Sequence, residues 1–303
     1  MEEEKFASIL EGLDYPFVNE ITLTGVVAKI RDRKDAANDT YYEIKLISAF
    51  NYTEFSNLFN TDKDRLEFNA NIPLVIYPVT NALKNFISGT VSKVQEKELI
   101  AVRGFLMSNV VDKVDFATNR LRKEVETFVH ILGLQRTFTK IQKVNFQELG
   151  LPINHALISG IVIDKYTATG RDGRTLVGLS IVTPRMLSKP VSQRTENETL
   201  PYELVDVVYF RKDGDYLANT INISDYVLVR GRLINKFFEK SLFPKIKRYY
   251  LIDAYSVVTK HLTKQNEKNV LGKVAQVVKD EKADDDIAKL GVALEKYINN
   301  ENN

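Results

Sequence analysis

The chain carries one series of strand-like segments twice, in the same order, and this duplication restricts its architecture more than any other feature. "NEITLTGVVAKI" (19–30) lies over "NHALISGIVIDK" (154–165), setting Asn19 on Asn154, Gly25 on Gly160 and Val27 on Val162. "YYEIKLISA" (41–49) lies over "LVGLSIVTP" (176–184), and "IPLVIYP" (72–78) over "LVDVVYF" (204–210), which aligns Tyr77 with Tyr209. "IAVRGFL" (100–106) matches "VLVRGRL" (227–233), and "ETFVHILGL" (126–134) runs over "KRYYLIDAY" (247–255).

Each segment alternates apolar and polar residues with β-branched enrichment, and Gly, Asp, Asn and Pro fill the connections, so each predicts a strand. Five strands in a unit of about 110–130 residues suit a small closed barrel, and Gly25, Gly104, Gly160 and Gly231 stand where strands of such a barrel bend. The five-stranded barrel that binds extended polymers is the OB-fold. The expected fold is mainly β, two tandem OB-fold five-stranded barrels with a helical C-terminal extension. The expected domains are an acidic N-terminal helix or arm (1–18), a divergent first barrel with a long insertion (19–150), a second barrel (151–262) and an amphipathic helical tail (263–303).

The second unit resembles bacterial and phage single-stranded DNA-binding proteins. In that family a "VV-x-F-x-K" strand precedes a short helix, then "V-x-V-x-G-x-L", a basic-aromatic hairpin and a last apolar strand. This chain reads "VVYFRKDGDYL", "VLVRGRL", "INKFFEKSLFPKIKR" and "YYLIDAYSVV" between Val207 and Val258. The resemblance implies base stacking by Phe210, with Lys212 beside it, and by Phe238 in the hairpin after the fourth strand. Other stacking positions of the family fall on Leu204 and, in the first unit, on Pro78 and Val111.

A general binder of single strands needs cations for the phosphates and flat rings for the bases. Tryptophan is absent, so the rings must come from the 16 Phe and 14 Tyr. Arg230 and Arg232 share one strand face, opposite Val229 and Leu233. Phe237 and Phe238 lie among Lys236, Lys240, Lys245, Lys247 and Arg248, with Phe243 between; for Phe237 and Phe243 capping of the barrel stays open beside stacking. The first–second strand loop, "KYTATGRDGRTL", adds Lys165, Tyr166, Arg171 and Arg174, without the Gly-Lys-Ser/Thr of a phosphate-cradling loop. In the first unit Lys29, Arg31, Arg33 and Lys34 are diluted by aspartates. The insertion there places Tyr52, Phe55 and Phe59 on one face of a short helix, which reads as packing, with Phe50 just ahead of it. Phe116, Arg120, Arg122 and Lys123 occupy the first unit's own fourth–fifth loop.

The net charge is only +2, but residues 153–262 hold an excess of roughly five positive charges, a local surface for polyanions. Residues 1–18 instead carry Glu2, Glu3, Glu4, Glu11 and Asp14 against one lysine. No run approaches the roughly 20 apolar residues of a membrane span, and the acidic start lacks the core of a secretory signal. The absence of cysteine excludes disulfides and thiolate metal sites and fits a reducing compartment. His130, His155 and His261 have no metal spacing, and Asp284, Asp285 and Asp286 read as a solvated helix start. No enzyme activity, metal or cofactor is expected.

Beyond Lys264, Val270, Val274, Val277 and Val278, then Ile287, Leu290, Leu294 and Ile298, recur at helical spacing. The family's acidic tip ending in Pro-Phe is not matched. The expectation is a cytoplasmic, nucleoid-associated homodimer that coats single-stranded DNA without sequence preference, with replication or recombination proteins as partners through the C-terminal helices. The alternative is an OB-fold adaptor of a replisome or primosome that binds proteins.

Overall fold

The computed structural model describes residues 13, 15–34, 38–48, 71–115, 120–140, 154–170, 173–186, 202–235, 250–262 and 266–273. Its first unit runs β1 (Asn19–Lys34), β2 (Thr40–Ile47), β3 (Asn71–Ile76), α1 (Asn81–Gly89), β4 (Glu98–Asp115) and β5 (Arg120–Lys140). The second runs β6 (Asn154–Thr169), β7 (Thr175–Pro184), β8 (Tyr202–Tyr209), α2 (Gly214–Thr220), β9 (Tyr226–Asn235) and β10 (Tyr250–Lys260). The mainly β expectation holds.

In the first unit β1 pairs with β2, β2 with β3, β3 in parallel with β5, β5 with β4, and β4 with β1 again. The ring is a closed five-stranded barrel, consistent with the OB-fold. The pairings β6–β7–β8–β10–β9–β6 repeat it strand for strand, including the one parallel pair, β8 with β10. Inward-facing residues of both, among them Ile21, Leu23, Leu46, Leu74, Val102 and then Ile158, Leu179, Val207, Val229 and Ile252, belong to one buried cluster. α1 and α2 occupy the same place in each ring, between the third and fourth strands, and bury Leu83 and Ile87, and Leu217.

The duplication extends to individual hydrogen bonds. Asn19 Nδ2 donates to the Leu106 carbonyl at 2.8 Å, while its Oδ1 accepts from Leu106 N–H at 2.9 Å. Asn154 makes the same two bonds to Leu233, at 2.8 and 2.9 Å. Each asparagine thus completes a backbone pair at the seam between the first and fourth strands, where an unmet buried amide would be costly. A β-carbon on Gly104 would lie 1.9 Å from the His130 carbonyl oxygen, and one on Gly231 would lie 2.6 Å from that of Asp253. The glycines are there because two backbones approach too closely for any side chain.

The register corrects two of the sequence alignments. Val75 faces His130, and Val208 faces Asp253, in the equivalent parallel pairs. Tyr77, two residues past Val75, therefore corresponds to Phe210, two past Val208, and not to Tyr209. Tyr209 belongs to the inner core, whereas Tyr77 packs on the outside, the change of face that a one-residue slip produces. In the last strand, Phe105 faces His130 while Arg232 faces Asp253. That alignment shifts by two residues and keeps its faces.

The units meet along β1 and β6, antiparallel with Ile21 opposite Ala156, so all ten strands form one sheet. Residues 15–18, neither helix nor strand, strap onto the second unit. Tyr226 Oη donates to the Pro16 carbonyl at 2.6 Å, Val18 N–H donates to Ser159 Oγ at 2.7 Å, and Tyr15 stacks on Tyr226 at 5.0 Å. At the other end residues 266–273 are helical and bury Val270 and Leu271. The rest of the C-terminal prediction, like the first twelve residues, lies outside the described residues. Among the described residues no helix is long and apolar enough to cross a membrane.

Candidate nucleic-acid interface

Alternation along β7, β8, β9 and β10 sends Val177, Val207, Val229 and Ile252 inward and their neighbours onto one outer surface. Phe210 directly follows β8 on that surface and is half-buried. The guanidinium carbon of the exposed Arg174 lies 4.4 Å from the centre of its ring, within cation–π range. Arg174 is held by the β6–β7 tip, where Gly170 N–H donates to the Arg174 carbonyl at 2.8 Å. Thr175 Oγ1 donates to Asp215 Oδ1, tying that tip to α2. Two residues that the sequence places on separate loops therefore form one platform.

Beside Phe210 the charges concentrate. Arg211 and Arg232 share the carboxylate of Asp253: Arg211 Nη2 donates to Oδ1 at 3.1 Å, and Arg232 Nε and Nη2 donate to Oδ2 at 3.1 and 2.8 Å. Arg232, expected to face phosphate directly, is instead half-buried and already paired. Arg230, on the same face of β9, is exposed, and no ion pair joins it to another described residue. Its counterpart Arg103, in the other V-R-G, donates to Glu20 at 3.0 Å. The residue at Glu20's place in the second unit is His155, so the compensating acid is missing there. Lys212 is exposed at the start of the turn into α2.

Tyr166 faces Gly178 across β6–β7, and its ring occupies the space a β-carbon on Gly178 would fill, 2.0 Å from Tyr166 Cζ. Burial, then the charges of Asp206 and Asp164, hold its phenol above the ordinary value. The ring is thus neutral and laid flat on the sheet. Lys165 is a correction. Its Nζ donates to the carbonyls of Ala218 and Ile221 at 2.9 and 2.7 Å, which closes the C-terminal end of α2 and commits two of its three N–H donors to that helix. Arg171, Lys236, Phe238, Lys240, Lys245, Lys247 and Arg248, with Phe237, Phe243, Phe50, Tyr52, Phe55, Phe59 and Phe116, lie outside the described residues.

The same outer face in the first unit has a different character. Val75, Phe105, Met107 and Phe128 form a second buried cluster outside the barrel, with Tyr41 and Tyr77 against it. Tyr41 stacks on Tyr77 at 5.0 Å, and Tyr77 lies parallel to His130 at 6.0 Å. Burial pushes the His130 imidazole down to about 4, so it is a neutral aromatic ring there. Sequence reading missed Arg211, Asp253 and Tyr77; the signal for Arg211 was its place next to Phe210, and the other two needed the register.

No family model matches the chain, and no curated protein matches it by sequence. Among solved structures, it is similar to the wild-type single-stranded DNA binding protein from Thermus aquaticus. The likeness covers 82% of this chain and 96% of that one, with a TM-score of 0.52 at 13% identity. A deletion mutant of the same Thermus aquaticus protein gives the same coverage and TM-score at 15% identity. At such identities the likeness establishes the fold shared by the two chains.

Proposed function

We propose that the chain is a tandem OB-fold protein that binds single-stranded DNA without sequence preference and coats it during replication, recombination or DNA transfer. The observation that carries this reading is the outer face of the second unit. There the Phe210 ring under Arg174 adjoins Arg211, Lys212, Arg230 and Arg232, the ring-and-cation arrangement that single strands require. The fold shared with a single-stranded DNA binding protein raises its weight. Bases would stack on Phe210 while the backbone runs past β9. From the sequence pattern alone, Arg171, Lys236, Phe238, Lys240, Lys245, Lys247 and Arg248 are assigned further contacts to the strand.

The test is a titration of short labelled single strands, followed by fluorescence anisotropy at several salt concentrations. Log affinity is expected to fall with log salt by about 0.7 per phosphate contacted, with little preference among sequences. Absence of binding at low salt would overturn the reading. It would favour the adaptor that binds proteins.

A further inference from the structure

Among the described residues, Asp253 is the carboxylate that the arginines beside Phe210 share, and it holds them in the way a phosphate would. Each of its oxygens is taken by a different guanidinium, Oδ1 by Arg211 and Oδ2 by Arg232. Arg211 also fixes its second arm by donating from Nη1 to the Phe210 carbonyl at 3.0 Å. The side chains of both arginines are 34% exposed and that of Asp253 14%, so the trio sits at the surface and within reach of a polyanion. The barrel does not require it: in the first unit the facing pair at these positions is Phe105 and His130. A carboxylate whose two oxygens are each held by a guanidinium occupies the place that phosphate oxygens would take between the same arginines.

We propose that Asp253 is an internal competitor for the nucleic-acid phosphate, which lowers both the affinity and the salt dependence of single-strand binding. This rests on the reading of the outer face as the DNA surface. Among the described residues, these two arginines against one carboxylate leave a single net positive charge. A backbone phosphate engages them fully only by displacing Asp253, whose negative charge repels it for as long as the carboxylate stays.

Asp253→Asn keeps the size of the side chain and removes its charge. At low salt the full-length variant is expected to bind a short oligothymidylate on the order of 5- to 10-fold more tightly than wild type, the scale of one partly screened charge at contact distance. Its log–log salt slope is expected to steepen by about 0.7, one more phosphate neutralised. Asp253→Glu, which retains the charge, should keep the wild-type slope. Thermal melts check that each variant is folded, and Asp253→Ser replaces the asparagine variant if that one is not. Unchanged or weaker binding by a folded neutral variant overturns the inference, weaker binding marking Asp253 as an organiser of the arginines. Wild-type titration reports separately on the function. If neither protein binds, both readings fall; if only the neutral variant binds, the competitor is supported in its strongest form.

Discussion

Phe210 and Arg174 make the sharpest demand on single residues. Phe210→Ala should weaken binding to a short single strand by about 1–3 kcal/mol, the size of one lost base stack. Its melting midpoint should stay near wild type, because the ring lies at the surface, whereas a core phenylalanine cut to alanine costs about 3–5 kcal/mol of folding stability. A mutant that melts much earlier and binds normally once folded would make Phe210 structural. The paired arginines offer a second comparison. Arg230→Ala should lower the salt slope by about 0.7, while Arg103→Ala, whose charge Glu20 already compensates, should leave it unchanged; equal effects would count against the assignment of the second unit. The sequence singles out Phe210 through the family resemblance, Arg230 through alternation and Arg174 as one of the cations of the first–second strand loop. Asp253 was not legible there, because its meaning lies in two arginines delivered by β9 and by the end of β8. Lys165 misled for the same reason, its partners being carbonyls of a helix some fifty residues away.

At the scale of elements, the seams between strands make the next demand. Gly104→Ala places a methyl against the His130 carbonyl, at a distance no backbone tolerates, so β4 and β5 must part. Overpacking of this kind costs about 1–3 kcal/mol, and the rigid backbone partner puts this site at the upper end. Gly133→Ala on β5, with nothing within 4 Å of its β-carbon, is the control and should be neutral or slightly stabilising. Comparable losses in denaturant titrations of the two variants would refute the close-approach account. The order of strands was legible because the β-branched, apolar segments recur in the same sequence in both units, with period-two alternation in most of them. The register of β3 and β8 was not: "IPLVIYP" and "LVDVVYF" are apolar almost throughout, and a continuous apolar run does not reveal which residues face inward. The sequence reading also left α1 out, although Thr80 caps it by accepting from Leu83 N–H at 3.2 Å, and Leu83 and Ile87 stand one turn apart on its buried face. That signal is short and sits between two stronger strands.

The whole molecule is joined by a buried polar group as well as by the β1–β6 ladder. Glu203 on β8 accepts from Ser108 N–H of β4 at 2.6 Å, and Arg185 Nη2 donates to the Ser108 carbonyl at 2.6 Å. Arg185 Nε lies 2.8 Å from Glu203 Oε1. Burial pushes the Glu203 carboxyl up to about 7, against the opposing pull of Arg185 and Ser108. A carboxyl raised in the folded state binds its proton more tightly there than in the unfolded chain. Its contribution to stability is therefore complete below 4.5 and is lost as pH rises through 7. His130 acts in the other sense: lowered from 6.5 to about 4, it contributes fully above 6.5, and that contribution is lost as pH falls through 4. Each displacement is worth on the order of 3 kcal/mol. Between 4.5 and 6.5 the two nearly cancel, so the melting midpoint should form a plateau with an edge on either side. Glu203→Gln should remove the alkaline edge and leave the acid one, and His130→Phe should do the reverse. Subtracting each variant's midpoint-against-pH curve from that of wild type isolates the group from the chain's other carboxylates. A difference curve for Glu203→Gln that is flat between pH 5 and 7.5 would mean that the carboxylate stays charged at the junction. Arg185 would then outweigh burial in holding the two units together.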